Sequence, residues 1–246
     1  DYDWTAALRA RIEADTAIVA VPNCHWTDGT LVDLVRVGEA VRSVGAALVV
    51  DAIQSLGARP FDVAAVRPDW LVTAVYKWML GPFSLGFCWV APEGRAGEPI
   101  ERNWITRAGA EDFAGLVSYS DEFAPGARRY DMGERSNFIG LPIAISSLEQ
   151  ILEWEVPRVG ELIAGLTDEI VAGAEGLGLE VAPAEFRSRH MVGLRWPGGL
   201  PEKLPALLKD AAVHVSVRGS SIRVSPHVYN TAGDIARLLE VLASVR

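Results

Sequence analysis

The sequence predicts an α/β protein, with part of a mostly parallel sheet in residues 1–140 and a connecting helix and smaller α+β region in residues 141–246. Three observations carry this prediction. Short apolar runs alternate with stretches of helical periodicity through the first ninety residues, which is the pattern of successive βα units. Two of those runs end at a chemically capable residue: Ala46–Val50 leads into Asp51, and Trp70–Thr73 leads towards Lys77. After the long helices that follow, the pattern changes to short strands mixed with amphipathic helices.

Taken in order, Trp4–Ala14 reads as a helix and Ala17–Val21 as a buried strand, with Pro22–Gly29 as the loop after it. Leu31–Val44 carries apolar residues at helical spacing (Leu31, Leu34, Val35, Val41), and Gly45 ends it as glycine commonly does. A turn over Gly57–Pro60 and a short helix over Val63–Val66 separate the Asp51 strand from the Lys77 strand. The tight turn Gly81–Gly86 then enters a strand over Leu85–Val90. Residues 91 to about 140 are rich in Gly, Pro and charge and read as loops. Phe138–Glu153 and Pro157–Ala174 are amphipathic helices. Gly178–Val181, Met191–Arg195, Val213–Val217 and Ser221–Ser225 read as short strands, accompanied by helices over Leu200–Ala211 and Ala232–Val245. No internal repeat or low-complexity segment is present.

Composition narrows the function classes. Half of the 246 residues are apolar, 22% are charged and the net charge is −9. That balance disfavours nucleic-acid or anionic-membrane surfaces, which reward clustered Lys and Arg. No apolar run approaches the roughly 20 residues that span a bilayer, and the start shows no secretory pattern. The two cysteines, Cys24 and Cys88, make neither a disulfide framework nor a metal-ligand spacing, so a cytoplasmic protein without a metal is expected. The chain opens at Asp1 directly into a helix and reads as an α/β domain cut in its middle.

Open α/β sheets bind ligands along the carboxyl edge of their strands. Asp51 lies 26 residues before Lys77, and both follow strands of one sheet, so that edge receives an acid and an amine together. A lysine for an imine and a carboxylate for a pyridinium nitrogen are the two groups that pyridoxal phosphate most needs. Taken singly, each residue has a plainer reading: a lysine after a buried strand commonly snorkels, and Asp51 suits a helix cap. Gln54 one helical turn on, and Tyr76 and Trp78 flanking the lysine, add groups able to bond or wall a ligand.

The stretches VPNCHWTDG (21–29), VVDAIQSLGARPFD (49–62), DWLVTAVYKWMLGPFSLGF (69–87), RRYDMGERSNF (128–138) and SIRVSPHVYNT (221–231) together resemble the class V aminotransferase group of fold-type-I pyridoxal-phosphate enzymes, which also contains cysteine desulfurases and kynureninase. The resemblance implies a Lys77 Schiff base with the cofactor, the same amine shuttling the substrate α-proton. It places Asp51 on the pyridine nitrogen, Gln54 on the ring 3-hydroxyl oxygen and Tyr76 on the phosphate. Ser136 or Asn137, in the loop Gly133–Asn137, would reach the phosphate of a partner subunit, so a homodimer is implied. Asn23 and Arg223 would hold the substrate carboxylate, a task suited to a planar bidentate donor in the case of Arg223. His25, on the loop after the first strand, faces the ligand in this reading, and Trp26 and Trp104 sit on loops able to line a pocket. His190, His214 and His227 read as structural or surface residues.

By the same resemblance the reaction is an aminotransferase-like one between a small amino acid and a keto-acid acceptor. A lyase or epimerase using the same lysine, and a non-catalytic fragment or scaffold, are the alternatives. No cysteine follows Cys88, so the stretch from Val215 to Arg223 lacks the catalytic cysteine of persulfide-forming desulfurases. Ala74 stands where relatives often carry a phosphate-binding serine. Relatives also have a long segment before this point, carrying the turn whose amides hold the phosphate and the ring that stacks on the cofactor. The chain as given is therefore expected to hold the cofactor weakly.

Overall fold

The computed structural model describes residues 2–118 and 120–245. Strands β1 (Ile18–Pro22), β2 (Ala47–Asp51) and β3 (Trp70–Ala74) lie side by side in parallel, and β4 (Gly86–Val90) closes this sheet antiparallel to β3. The register pairs Pro22 with Asp51 and Asp51 with Val72, so three strands end together at one edge. The reversal into β4 depends on Gly86, where a Cβ would stand 2.6 Å from the Thr73 backbone oxygen.

Helix α1 (Trp4–Arg9) is shorter than its apolar spacing predicts. The Thr16 hydroxyl accepts the Glu13 amide at 2.9 Å, a local bond that competes with helix continuation. Helix α2 (Leu34–Ser43) begins three residues later than expected because Asp33 caps it, accepting the Arg36 amide at 3.1 Å, while Leu31 bridges to Cys24. Its Val37 and Val41 are sealed against Leu48 and Val50 of β2, which fixes the sheet's first face. The short α3 (Val63–Val66) is capped by Asp62.

The described residues between 91 and 139 form turns and short 3₁₀ segments, as the composition suggests. Helix α4 (Gly140–Trp154) breaks from α5 (Val156–Gly176) at Glu155, whose φ is 64°, just before Pro157. A second, antiparallel sheet follows in the order β5 (Val192–Arg195), β7 (Ser221–Val224), β6 (Ser216–Arg218). Helices α5, α6 (Leu204–Asp210) and α7 (Ala232–Ala243) enclose a core of Ile170, Leu194, Leu204, Ile222 and Leu242. The expected strand over Gly178–Val181 is absent: only Glu180 pairs, as an isolated bridge to Arg195, while Leu179 turns into the core.

A third cluster joins the two sheets. Val159 and Ile163 of α5 pack with Cys24, Ala58 and Trp78, on the loops that follow β1, β2 and β3, and with Met191, which directly precedes β5. Burial of this size of aliphatic and aromatic surface holds the loop after β3 against the second sheet. Among the described residues no helix is long and apolar enough to cross a membrane.

Candidate active site

Strand β3 stops at Ala74 and the chain folds into a compact turn. Gly81 donates its amide to the Val75 oxygen at 2.9 Å, Leu80 donates to Lys77 at 3.1 Å, and Val75 and Met79 are buried beneath. Lys77 is left lining a cleft of about 250 Å³ together with Gln54, Tyr76, Arg223, His227 and Tyr229. Its ammonium is held below the ordinary lysine pKa, first by burial and then by the charge of Arg223; Asp51 opposes both. Tyr76 stacks on Phe83 with centroids 4.5 Å apart, and the Lys77 Nζ stands 5.6 Å from the Tyr76 ring.

Asp51, at the end of β2, is exposed; one carboxylate oxygen accepts the Ile53 amide at 2.9 Å. Gln54 is buried, and its backbone oxygen is gripped by His190, whose Nε2 is 2.5 Å away. Burial holds His190 at a pKa of about 4, so the ring is neutral. Arg223, on β7, donates from Nη1 to the Trp26 backbone oxygen at 2.6 Å. Desolvation and the nearby Arg218 depress its pKa, although a guanidinium keeps its charge.

The fold thus brings Lys77, Gln54, Tyr76 and Arg223 to one cleft, with Asp51 in electrostatic reach. Three other sequence-derived candidates stand elsewhere. Asn23 donates to the Ser55 hydroxyl, keeps its Oδ1 buried without a partner, and lines a separate cleft of about 540 Å³ with Asp33, Arg59 and Phe61. His25 stacks on Trp4 at 4.7 Å, with Nδ1 2.6 Å from the Thr27 hydroxyl. Ser136 is exposed and lines a third cleft with Trp104 and Phe113.

Two residues that the sequence reading passed over belong to the Lys77 cleft. His227, read as structural or superficial, is 2% exposed and lies between the rings of Trp78 (5.8 Å) and Tyr229 (5.1 Å). Both follow Arg223 within the stretch SIRVSPHVYNT, and that proximity was the available signal.

Residues 2–104, which carry the Asp51 and Lys77 strand ends, match the family model described as Aminotransferase class-V. Over 95% of its length the chain is 28% identical to the uncharacterized aminotransferase YcbU of Bacillus subtilis (strain 168), covering 60% of that protein. It is 29% identical to the isopenicillin N epimerase of Amycolatopsis lactamdurans over 97% of this chain and 61% of that one. In three dimensions, a C-DES mutant with glycine covalently linked to its PLP cofactor superposes with a TM-score of 0.86, at 18% identity, over 99% of this chain and 64% of that chain. That likeness is one of fold, the mixed α/β arrangement of fold-type-I enzymes. The chain spans about 60% of the length of these curated relatives.

Proposed function

We propose that this chain carries the lysine-bearing part of a pyridoxal-phosphate-dependent, aminotransferase-like enzyme acting on a small amino acid. The observation that carries the reading is Lys77. The sequence contains three lysines, and Lys203 and Lys209 are both exposed, whereas Lys77 is partly withdrawn into a cleft beside a guanidinium that lowers its proton affinity. An amine so placed gives up its proton more readily than a surface lysine, which suits a nucleophile and base.

The residues present fit the cofactor at its ring and aldehyde. Lys77 offers the amine for the aldehyde, Asp51 a carboxylate at the edge of β2 for the pyridine nitrogen, and Gln54 an amide for the ring hydroxyl. When bound, pyridoxal phosphate supplies the electron sink that makes a substrate α-proton removable. Lys77 takes that proton and returns it. Arg223 holds the substrate carboxylate, and its Nη1 bond to Trp26 fixes the guanidinium while leaving Nη2 for the ligand. His227, kept below its ordinary pKa by burial, gives the cleft a neutral wall. Tyr76 and Ser136 would hold the cofactor phosphate, Ser136 across a homodimer, and Asn23 and His25 would serve the substrate.

Incubating the chain with pyridoxal phosphate and a panel of small amino acids, then assaying keto acid, tests the reading. Keto acid that disappears in Lys77→Ala is the expected result. Keto acid formed equally by the variant would remove Lys77 from the reaction.

A further inference from the structure

The hairpin that carries Arg223 carries a second arginine on the same face. The β6–β7 register pairs Ser216 with Arg223 and Arg218 with Ser221. Side chains alternate across a strand, so Ser216, Arg218, Ser221 and Arg223 share one face, while Ile222 (0% exposed) and Val224 (6%) fill the core on the other. Trp26 lies against the polar face. Arg223 donates to its backbone oxygen at 2.6 Å, and the guanidinium carbon of Arg218 stands 5.2 Å from its ring centroid. The Nε atoms of both arginines are shielded from solvent and make no hydrogen bond.

Neither arginine makes a salt bridge among the described residues. Arg218 also bears electrostatically on both Arg223 and Lys77. Asp51 offsets part of the charge at Lys77, but the two arginines on this partly dehydrated face repel each other, and an anion bound between them relieves that repulsion. A single substrate carboxylate on Arg223 leaves Arg218 unanswered. We propose that Arg218, backed by Trp26, is a second anion subsite beside Arg223, which selects amino acids carrying a carboxylate on the side chain. The inference rests on the function proposed above only in assigning the α-carboxylate to Arg223.

Titration calorimetry of the chain without cofactor, comparing succinate with propionate at constant ionic strength, tests it. Succinate binding at least tenfold tighter than propionate is expected. Arg218→Gln removes that advantage and leaves propionate unchanged, which also shows that the variant is folded; Arg223→Gln weakens both ligands. Equal affinity of the two acids in the unsubstituted chain would overturn the proposal. So would an Arg218→Gln variant that loses inorganic phosphate but keeps the succinate preference, since the anion would then not be a substrate carboxylate. Because cofactor is absent, a succinate preference in a chain whose Lys77 proves inert would refute the catalytic reading and leave the subsite standing.

Discussion

His190 donates from Nε2 to the backbone oxygen of Gln54 across 2.5 Å, joining the loop after β2 to the segment that enters β5. A neutral imidazole has one N–H, and the shorter of its two carbonyl contacts identifies the donor; Nδ1 is 3.3 Å from the Ser188 oxygen. Trp78 meets the ring edge-on at 4.8 Å, so the same histidine also braces the residue after Lys77. A side chain far along the sequence thereby orders both the Gln54 and the Lys77 segments.

Acid sensitivity follows from this contact. The folded chain holds His190 near pKa 4 against an ordinary 6.5, so between those values the unfolded chain binds a proton that the folded chain refuses. The contribution is complete above pH 6.5 and is lost as pH falls towards 4. Between pH 7 and pH 5 the loss amounts to about 2 kcal/mol. Urea unfolding of the unsubstituted chain and of His190→Gln at both pH values checks this: the variant loses less stability on acidification by about that amount.

The reactivity of Lys77 should respond oppositely to its two charged neighbours. Arg223 lowers its proton affinity and Asp51 raises it. Reductive methylation with a carbon-13 label, followed by an NMR titration, reads the pKa directly. Arg223→Gln moves it up, Asp51→Asn moves it down, and the exposed Lys203 and Lys209 stay put in both.

Much of the fold was legible because its elements announce themselves locally. Apolar runs gave β1, β2 and β3, and heptad-like spacing gave α2, α4, α5 and α7, each within a few residues. The misplaced ends at Arg9 and Leu34 were decided by single side-chain bonds, from Thr16 and Asp33, that periodicity does not register. Gly178–Val181 has the composition of a strand, but Gly178 and Leu179 donate back to Glu175 and Ala174 at the end of α5, and only Glu180 pairs with a strand residue, Arg195. At the site, Asp51 was visible because it ends a strand and Lys77 because it follows one closely. The gathering of Arg223, His227 and Tyr229 around Lys77 depends on α5 packing against loops from both sheets, a long-range contact with no local signature. Arg218 lies just past the expected strand Val213–Val217, and only the β6–β7 register sets it on the face of Arg223.

Backbone packing beneath the lysine turn gives a third prediction. Gly57 has φ 99°, and a Cβ there would stand 2.5 Å from the Trp78 oxygen. Gly178 also has a positive φ, 80°, but open space around it. Gly178→Ala should cost about 1 kcal/mol, the left-handed backbone penalty alone. Gly57→Ala adds a backbone clash and should cost about 3 kcal/mol. Urea midpoints separate the two, and only Gly57→Ala should also impair cofactor capture by displacing the residue next to Lys77.

The most direct test of the account is where pyridoxal phosphate attaches. Borohydride reduction of the chain mixed with the cofactor, followed by peptide mass spectrometry, compares Lys77 with Lys203 and Lys209 in one experiment. The account predicts that a substoichiometric amount of cofactor is captured on Lys77 in preference to the two exposed lysines, and that Arg223→Gln weakens the preference. Equal labelling of the three lysines, or labelling that spares Lys77, would contradict it.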